Sequence, residues 1–351
     1  MKFIFTVRNL FILLCVFASQ VSAAQFDNPY QGNIAVQNQS ENDLKTLALE
    51  QVLIKVSGNA NIVSLPESES ILKNKNRSLS QFGYKTINNR RYFSAVFDKY
   101  KINDALKEMQ QPIWGDTRPT TLVWLVKNDG ARRKFVSEDT LSSKVDPDLT
   151  ETFIELQNKR GINLQFPLMD LEDTLALSVS DIAGRFYEPI AAASKRYGLD
   201  YYLIGYLRKK GNDSWSLSWT LVQPNASGIK NKVLASGTLR DKKIAVIANM
   251  VSNVADYYAS QYAISENQDE KFSKTIYVDG IDSLAKLNEL DKVLSNLFSI
   301  TSFNVSAVKG SLVTIDIKVN GGLNSFKNAL FAQENLHRDA SQNESFYFHW
   351  R

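Results

Sequence analysis

Cysteine and histidine are almost missing: the 351 residues include one Cys, Cys15, and two His, His337 and His349. A chain this poor in thiol and imidazole has little to offer a Cys-ligated metal or a thiol nucleophile. The two imidazoles stand twelve residues apart, which matches no common zinc spacing. No Gly-x-Ser-x-Gly elbow accompanies them, so a Ser–His–Asp machine is not expected. Both histidines are read as surface or strand-end residues, with no metal, no cofactor and no catalytic residue assigned. Glycine and proline are also sparse, at 16 and 8, which excludes collagen-like and low-complexity architectures. A Gly-rich phosphate loop ending in Gly-Lys-Ser/Thr does not occur, and Asp279-Gly280-Ile281-Asp282 is a turn signal rather than a calcium loop. Charge of one sign is lacking too, with 41 Lys+Arg against 37 Asp+Glu. The short clusters Arg90-Arg91, Arg132-Arg133-Lys134, Lys209-Lys210 and Lys242-Lys243 lie beside turn-like sequence and form no basic stripe. Nucleic acid is therefore not an expected partner.

What remains is the composition of an ordinary globular protein, 44% hydrophobic and 22% charged. Its length suggests roughly two to three domains of about 100–150 residues, each able to bury its own core.

Met1–Ala23 reads as a secretory signal peptide. Lys2 and Arg8 give a positive start, Leu10–Ala18 is a short apolar run, and Val21-Ser22-Ala23 offers small residues for cleavage before Ala24. That run falls short of the roughly 17–25 residues needed to span a bilayer, so no stable membrane anchor is expected. Lipidation at Cys15 is disfavoured because Leu14 before it is not small. Cleavage between Ala23 and Ala24 would leave a cysteine-free periplasmic chain with 39 basic against 37 acidic residues. Without disulfides, such a chain depends on its cores.

Three α+β segments follow, making the fold class α+β with three small mixed domains. The first, 24–116, places a strand at Asn33–Gln37 and a capping box at Ser40–Asp43. That box opens a helix with Leu44, Leu47, Ala48 and Val52 on one stripe and Gly58 at its end. Arg91–Asp98 is strand-like and Ile102–Met109 a short helix. The second, 117–262, opens with the buried strand Leu122–Val126. A helix over Leu149–Arg160, a strand over Asn163–Leu168 and a helix from Pro189 to Tyr197 come next. The antiparallel meander Tyr201–Leu207, Ser214–Val222 and Lys232–Leu239 leads to a closing helix over Ile244–Tyr258. On the second meander strand Trp215 and Trp219 share a face with Leu217. They are read as core in preference to an aromatic platform for a glycan or peptide. After a linker at 263–273, polar from Ser265, the third segment, 274–351, shows the βαββαβ order of a ferredoxin-like unit.

Leu49–Gly58, Arg160–Asp173, Ser180–Phe186 and Ala192–Gly198 together resemble a domain-of-unknown-function family of exported Gram-negative envelope proteins, over roughly Gly32 to Val222. The resemblance implies location and architecture, and no activity or site. Tyr202-Leu203-Ile204-Gly205 before a hairpin also makes the middle segment similar to the TolB amino-terminal domain fold.

Carboxylates are the remaining chemical resource. Asp170, Glu172 and Asp173, with Asp181 nearby, could pair as acid and base, serve as caps, or present negative charge to a basic patch on an envelope protein where a strand ends. If the stretch were extended, Asp170 and Glu172 would share a face. The expected function is a non-enzymatic periplasmic binding or assembly factor, with Asp170, Glu172 and Asp173 as its binding residues. The alternative is a carboxylate-dependent hydrolase acting on envelope glycans.

Overall fold

The computed structural model describes residues 28–351 apart from 88–89, 116–117, 144–145, 200, 225–230, 266–270, 298, 321, 332, 334 and 340–345. The signal peptide, the Ala23–Ala24 cleavage site and the centre of the expected linker lie outside the described residues. Among the described residues the chain forms 11 α-helices and 14 strands in three sheets, a mixed α+β fold. No helix there is long and apolar enough to cross a membrane.

The first sheet carries β1 (Gln31–Ala35), β2 (Leu79–Ile87) and β3 (Arg90–Phe97) in the order β1-β3-β2, with α1 (Glu41–Ser57), α2 (Ser68–Lys73) and α3 (Lys99–Glu108) around it. Ser40 starts α1 with a reciprocal capping box to Asp43, and Gly58 ends it at φ 71°, a conformation open to glycine without a Cβ penalty. The helix lies directly on β1: a Cβ at Gly32 would sit 2.4 Å from the Ala48 carbonyl oxygen. Its last turns are buried all round, from Val52 to Ser57, because a helix of the second unit packs on the face that the sheet leaves open.

The second sheet is built on β4 (Thr120–Asn128), which is buried on both faces. It is followed by β5 (Arg133–Val136), α4 (Glu138–Ser142), α5 (Pro147–Arg160), β6 (Asn163–Gln165), α6 (Leu171–Ala176), α7 (Val179–Gly184) and α8 (Tyr187–Ser194). The meander β7 (Tyr201–Lys209), β8 (Trp215–Gln223) and β9 (Lys232–Asp241) leads into α9 (Lys243–Tyr262). Strand order is β5-β4-β7-β8-β9, with β6 sharing the β5 edge of β4, and β4 pairs parallel to both β6 and β7. One face packs on α5 and α9 through a core that includes Trp215, Leu217 and Trp219, so these tryptophans are core and not a platform. The other face packs under α7 and α8, around Trp124 and Ile190. The expected strand through Leu168 stops at Gln165.

The third unit runs β10 (Lys271–Asp279), α10 (Leu284–Asn296), β11 (Ile300–Lys309), β12 (Leu312–Asn320), α11 (Leu323–Phe331), β13 (Leu336–Arg338) and β14 (Tyr347–Trp350). Its order β11-β12-β10-β14 joins β10 antiparallel to β12 and parallel to β14, the ferredoxin-like arrangement, with β13 added at the edge. β10 begins at Lys271, inside the span expected to be linker.

Arginines tie the first two units together through helix C-terminal carbonyls, the electronegative end of a helix. Arg118 donates to the carbonyls of Lys55 at 2.8 Å and Gly161 at 3.0 Å, and lies 3.8 Å over the Trp114 ring. Arg160, 2% exposed, donates from Nη2 to the Gly58 carbonyl at 3.1 Å and to Asp256 at 2.5 Å.

Candidate functional site

The segment between β6 and α8 gathers the residues singled out in the sequence, and it gathers them around a single arginine. Asp170 is the N-cap of α6, its side chain accepting from the Asp173 amide at 3.1 Å. The same carboxylate takes a bidentate pair from Arg196, at 2.7 and 2.8 Å. These hydrogen bonds, first from Arg196 and then from the Asp173 amide, hold the Asp170 carboxyl far below the usual carboxylate range.

Asp173 is 0% exposed and fully engaged. It accepts from Tyr197 Oη at 2.6 Å, the Met169 amide at 2.9 Å and Arg196 Nη1 at 3.1 Å. Tyr197 Oη in turn accepts from the Leu168 amide at 2.9 Å. Burial, and then its bond to Asp173, raises the Tyr197 phenol well above its ordinary value. Glu172 differs: it is 70% exposed on its side chain and stands 3.6 Å from Arg196. Asp181 belongs to a separate capping box with Ser178 at the start of α7. Asp170 and Asp173 thus converge on one guanidinium instead of facing each other across a cleft. The expected shared face of Asp170 and Glu172 is lost, because the residues form a helix start and not a strand.

The consequence for α6 is an inverted polarity. Asp173 is turned inward, to Arg196 and Tyr197, while Glu172 stays exposed and the leucines are turned outward: Leu171 is 74% exposed and Leu175, one turn later, 80%. Leu168 and Phe186, flanking the excursion, are also exposed. Both ends of the excursion carry left-handed backbone in residues that have a Cβ, Met169 at φ 57° and Arg185 at φ 56°. Such strain is held only where surrounding structure over-determines it, and it clusters at functional positions. Periodicity alone could not find this surface, since outward leucines read in a sequence as core.

The histidines face each other across the β13–β14 pair. His349 Nε2 lies 3.1 Å from Asp339 and Nδ1 3.7 Å from Asp279. Among the described residues no three His, Cys, Asp or Glu side chains gather as a metal site would require.

Residues 23–115 match a family described as Domain of unknown function (DUF8605). The match covers the first sheet and its helices, including Leu49–Gly58. The stretches 160–173, 180–186 and 192–198, which the sequence reading joined to the same family, lie outside it. No curated protein matches the chain.

Proposed function

We propose that the chain is a non-enzymatic envelope protein of Gram-negative bacteria, exported to the periplasm, that binds a partner protein through the excursion over residues 168–186. The observation that carries this reading is the inside-out helix α6, which buries Asp173 while exposing Leu171 and Leu175. Exposing two leucines to water costs the burial that each would gain, about 1.5–3 kcal/mol apiece when fully covered. A complementary surface recovers it. Export is supported by the signal-like start, and the DUF8605 match begins at residue 23, beside the expected cleavage site. The TolB-like reading of the middle segment accords with an envelope location, and Tyr202–Gly205 does lie in β7 ahead of the β7–β8 hairpin.

Charge narrows the occupant. Residues 168–186 carry four carboxylates and one arginine; with Arg196, which pairs with Asp170 and Asp173, the surface keeps a negative excess, and Glu172 stands exposed beside the leucines. Anionic lipid would be repelled, whereas an amphipathic protein segment with basic residues beside its apolar face is complementary. The hydrolase alternative gains no support from carboxylates that share one guanidinium.

A photo-crosslinking residue at Leu175 tests the reading, with one at Ile244, an exposed apolar position on α9, as the comparison. Capture in the periplasm of a defined protein from position 175 alone, abolished by Leu171→Ser, is the expected result. Equal capture from both positions, or none at 175, overturns it. Edman sequencing of the exported chain should begin at Ala24, and a retained Met1 in the membrane fraction would refute cleavage and soluble release.

A further inference from the structure

The hairpin that closes the first sheet leaves one strand with an open side. β2 lies at the edge of the order β1-β3-β2 and pairs only with β3 among the described residues. It is nine residues long, and none of them is buried. Such an edge presents a row of backbone N–H and C=O groups to whatever can pair with them. Side chains alternate across the pleat. Phe82 and Tyr84 point to the face that carries α1, each 44% exposed. Both rest on Phe93, each with its ring centre 5.5 Å from that of Phe93. The two rings form an apolar shelf beside unpaired backbone. Strand addition uses that combination, with main chain for affinity and alternate side chains for specificity.

Charge says what fits. From Ser70 to Phe97 the chain has six basic residues and no carboxylate. Lys73 is paired with Glu69, and Arg90 with Glu151 and Glu155. On α1, Lys45 stands 4.2 Å over the Phe82 ring and is paired with Glu41. Lys75 and Arg77, directly ahead of β2, and Lys85 and Arg91, on the hairpin, form no ion pair among the described residues. The Arg91 guanidinium lies 4.1 Å from the centre of the Tyr84 ring, on the shelf. Lys85, opposite Tyr92 in the register, projects to the other face, where the space over Gly83 is open. A second copy pairing edge to edge would bring two such basic hairpins together. A strand that carries carboxylates turns that repulsion into attraction.

We infer that β2 accepts an extended, acidic protein segment as an added strand of the first sheet. Its apolar side chains lie on Phe82 and Tyr84, and its carboxylates meet Lys85 on one face and Arg91 on the other. This surface belongs to the first sheet and stands or falls apart from the partner surface proposed at residues 168–186.

Fluorescence anisotropy of the mature chain with a labelled peptide of alternating valine and glutamate, as long as β2, tests this. The glutamate peptide should bind, its lysine counterpart should be weaker by about tenfold or more, and added salt should narrow the gap. Phe82→Thr with Tyr84→Thr should weaken the glutamate peptide by about tenfold, because each ring has only part of its surface left to cover. Lys85→Glu with Arg91→Glu should reverse the preference toward the lysine peptide, a gain that only a folded hairpin can give. In a strand the amides of alternate residues point to the same edge, so N-methylation of all valines or of all glutamates blocks opposite edges. One methylated peptide should lose binding and the other keep it. Absence of binding overturns the inference, as do equal binding of the lysine peptide and equal effects of the two methylations. Unchanged affinity in the threonine variant, or an unmoved preference in the charge-reversed one, does the same. Dimerisation abolished by the threonine substitutions would assign the edge to a second copy and overturn it as well. Leu171→Ser should leave peptide affinity unchanged while abolishing crosslinking.

Discussion

Asp173→Ala is the substitution that separates anchoring from display in the acidic segment. Asp173 has no exposed surface and satisfies three donors, the Met169 amide, Tyr197 Oη and Arg196 Nη1. Truncation leaves Arg196 its bidentate pair with Asp170, so the guanidinium is not stranded. The Met169 amide and the Tyr197 hydroxyl do lose their acceptor. The Met169 amide also belongs to a residue already in left-handed backbone. At about 1–3 kcal/mol for each buried group left unpaired, the loss comes to about 3 kcal/mol. For a unit of 150–250 residues that is a fall in Tm of about 6–12 °C. Glu172→Gln, at a side chain 70% exposed, should change stability by no more than the ~0.5 kcal/mol typical of surface sites, about 1–2 °C in Tm. Differential scanning calorimetry of both variants decides the matter. Equal and small shifts would mean that the inward turn of α6 is wrong, and with it the outward leucines on which the partner surface rests.

Three further outcomes follow from the same geometry. Gly32→Ala places a Cβ 2.4 Å from the Ala48 carbonyl oxygen, forcing α1 off β1. The urea midpoint should fall by the equivalent of about 1–3 kcal/mol, and an unchanged midpoint would contradict the close approach. Arg160 has Nε and Nη1 buried without partners, so Arg160→Met should cost no more than about 1–2 kcal/mol, while Arg160→Lys, which keeps a buried charge but loses the planar fork, should cost about 3 kcal/mol or more. The reverse order in urea unfolding would refute that account. For Asp170 the folded carboxyl is depressed below its ordinary 3.8 by Arg196 and the Asp173 amide. Its contribution is therefore complete above that value and lost as pH falls below it. Asp170→Asn keeps an N-cap and removes the charge, so the stability gap from the native chain should be constant at neutral pH and narrow on acidification below 3.8. A gap that stays constant to the acid end would exclude the Arg196 pair as its source.

Local chemistry made much of this fold legible. A capping box at Ser40, glycines where α1 and α5 end, and a meander punctuated by polar turns each act within a few residues of chain. The βαββαβ order of the last unit needed only periodicity and turn signals. Long-range neighbours decided the rest. β2, with the sequence LSQFGYKTI, is a sheet-edge strand without clean alternation, and it becomes a strand because β3 pairs with it. β13 is three residues long and exists by pairing with β14.

The acidic stretch shows the division most clearly. Sequence marked Asp170, Glu172 and Asp173 as chemically distinct from the apolar run before them. It could not say which would be buried, because Asp173 is covered by Arg196 and Tyr197 and Asp170 is paired by Arg196, more than twenty residues further on. Those two read locally as the end of a helix. Sequence by itself fixed the elements whose hydrogen bonds close locally. The tertiary structure alone decided where charge is neutralised and where leucine is left exposed, because both depend on partners that the chain brings together only on folding.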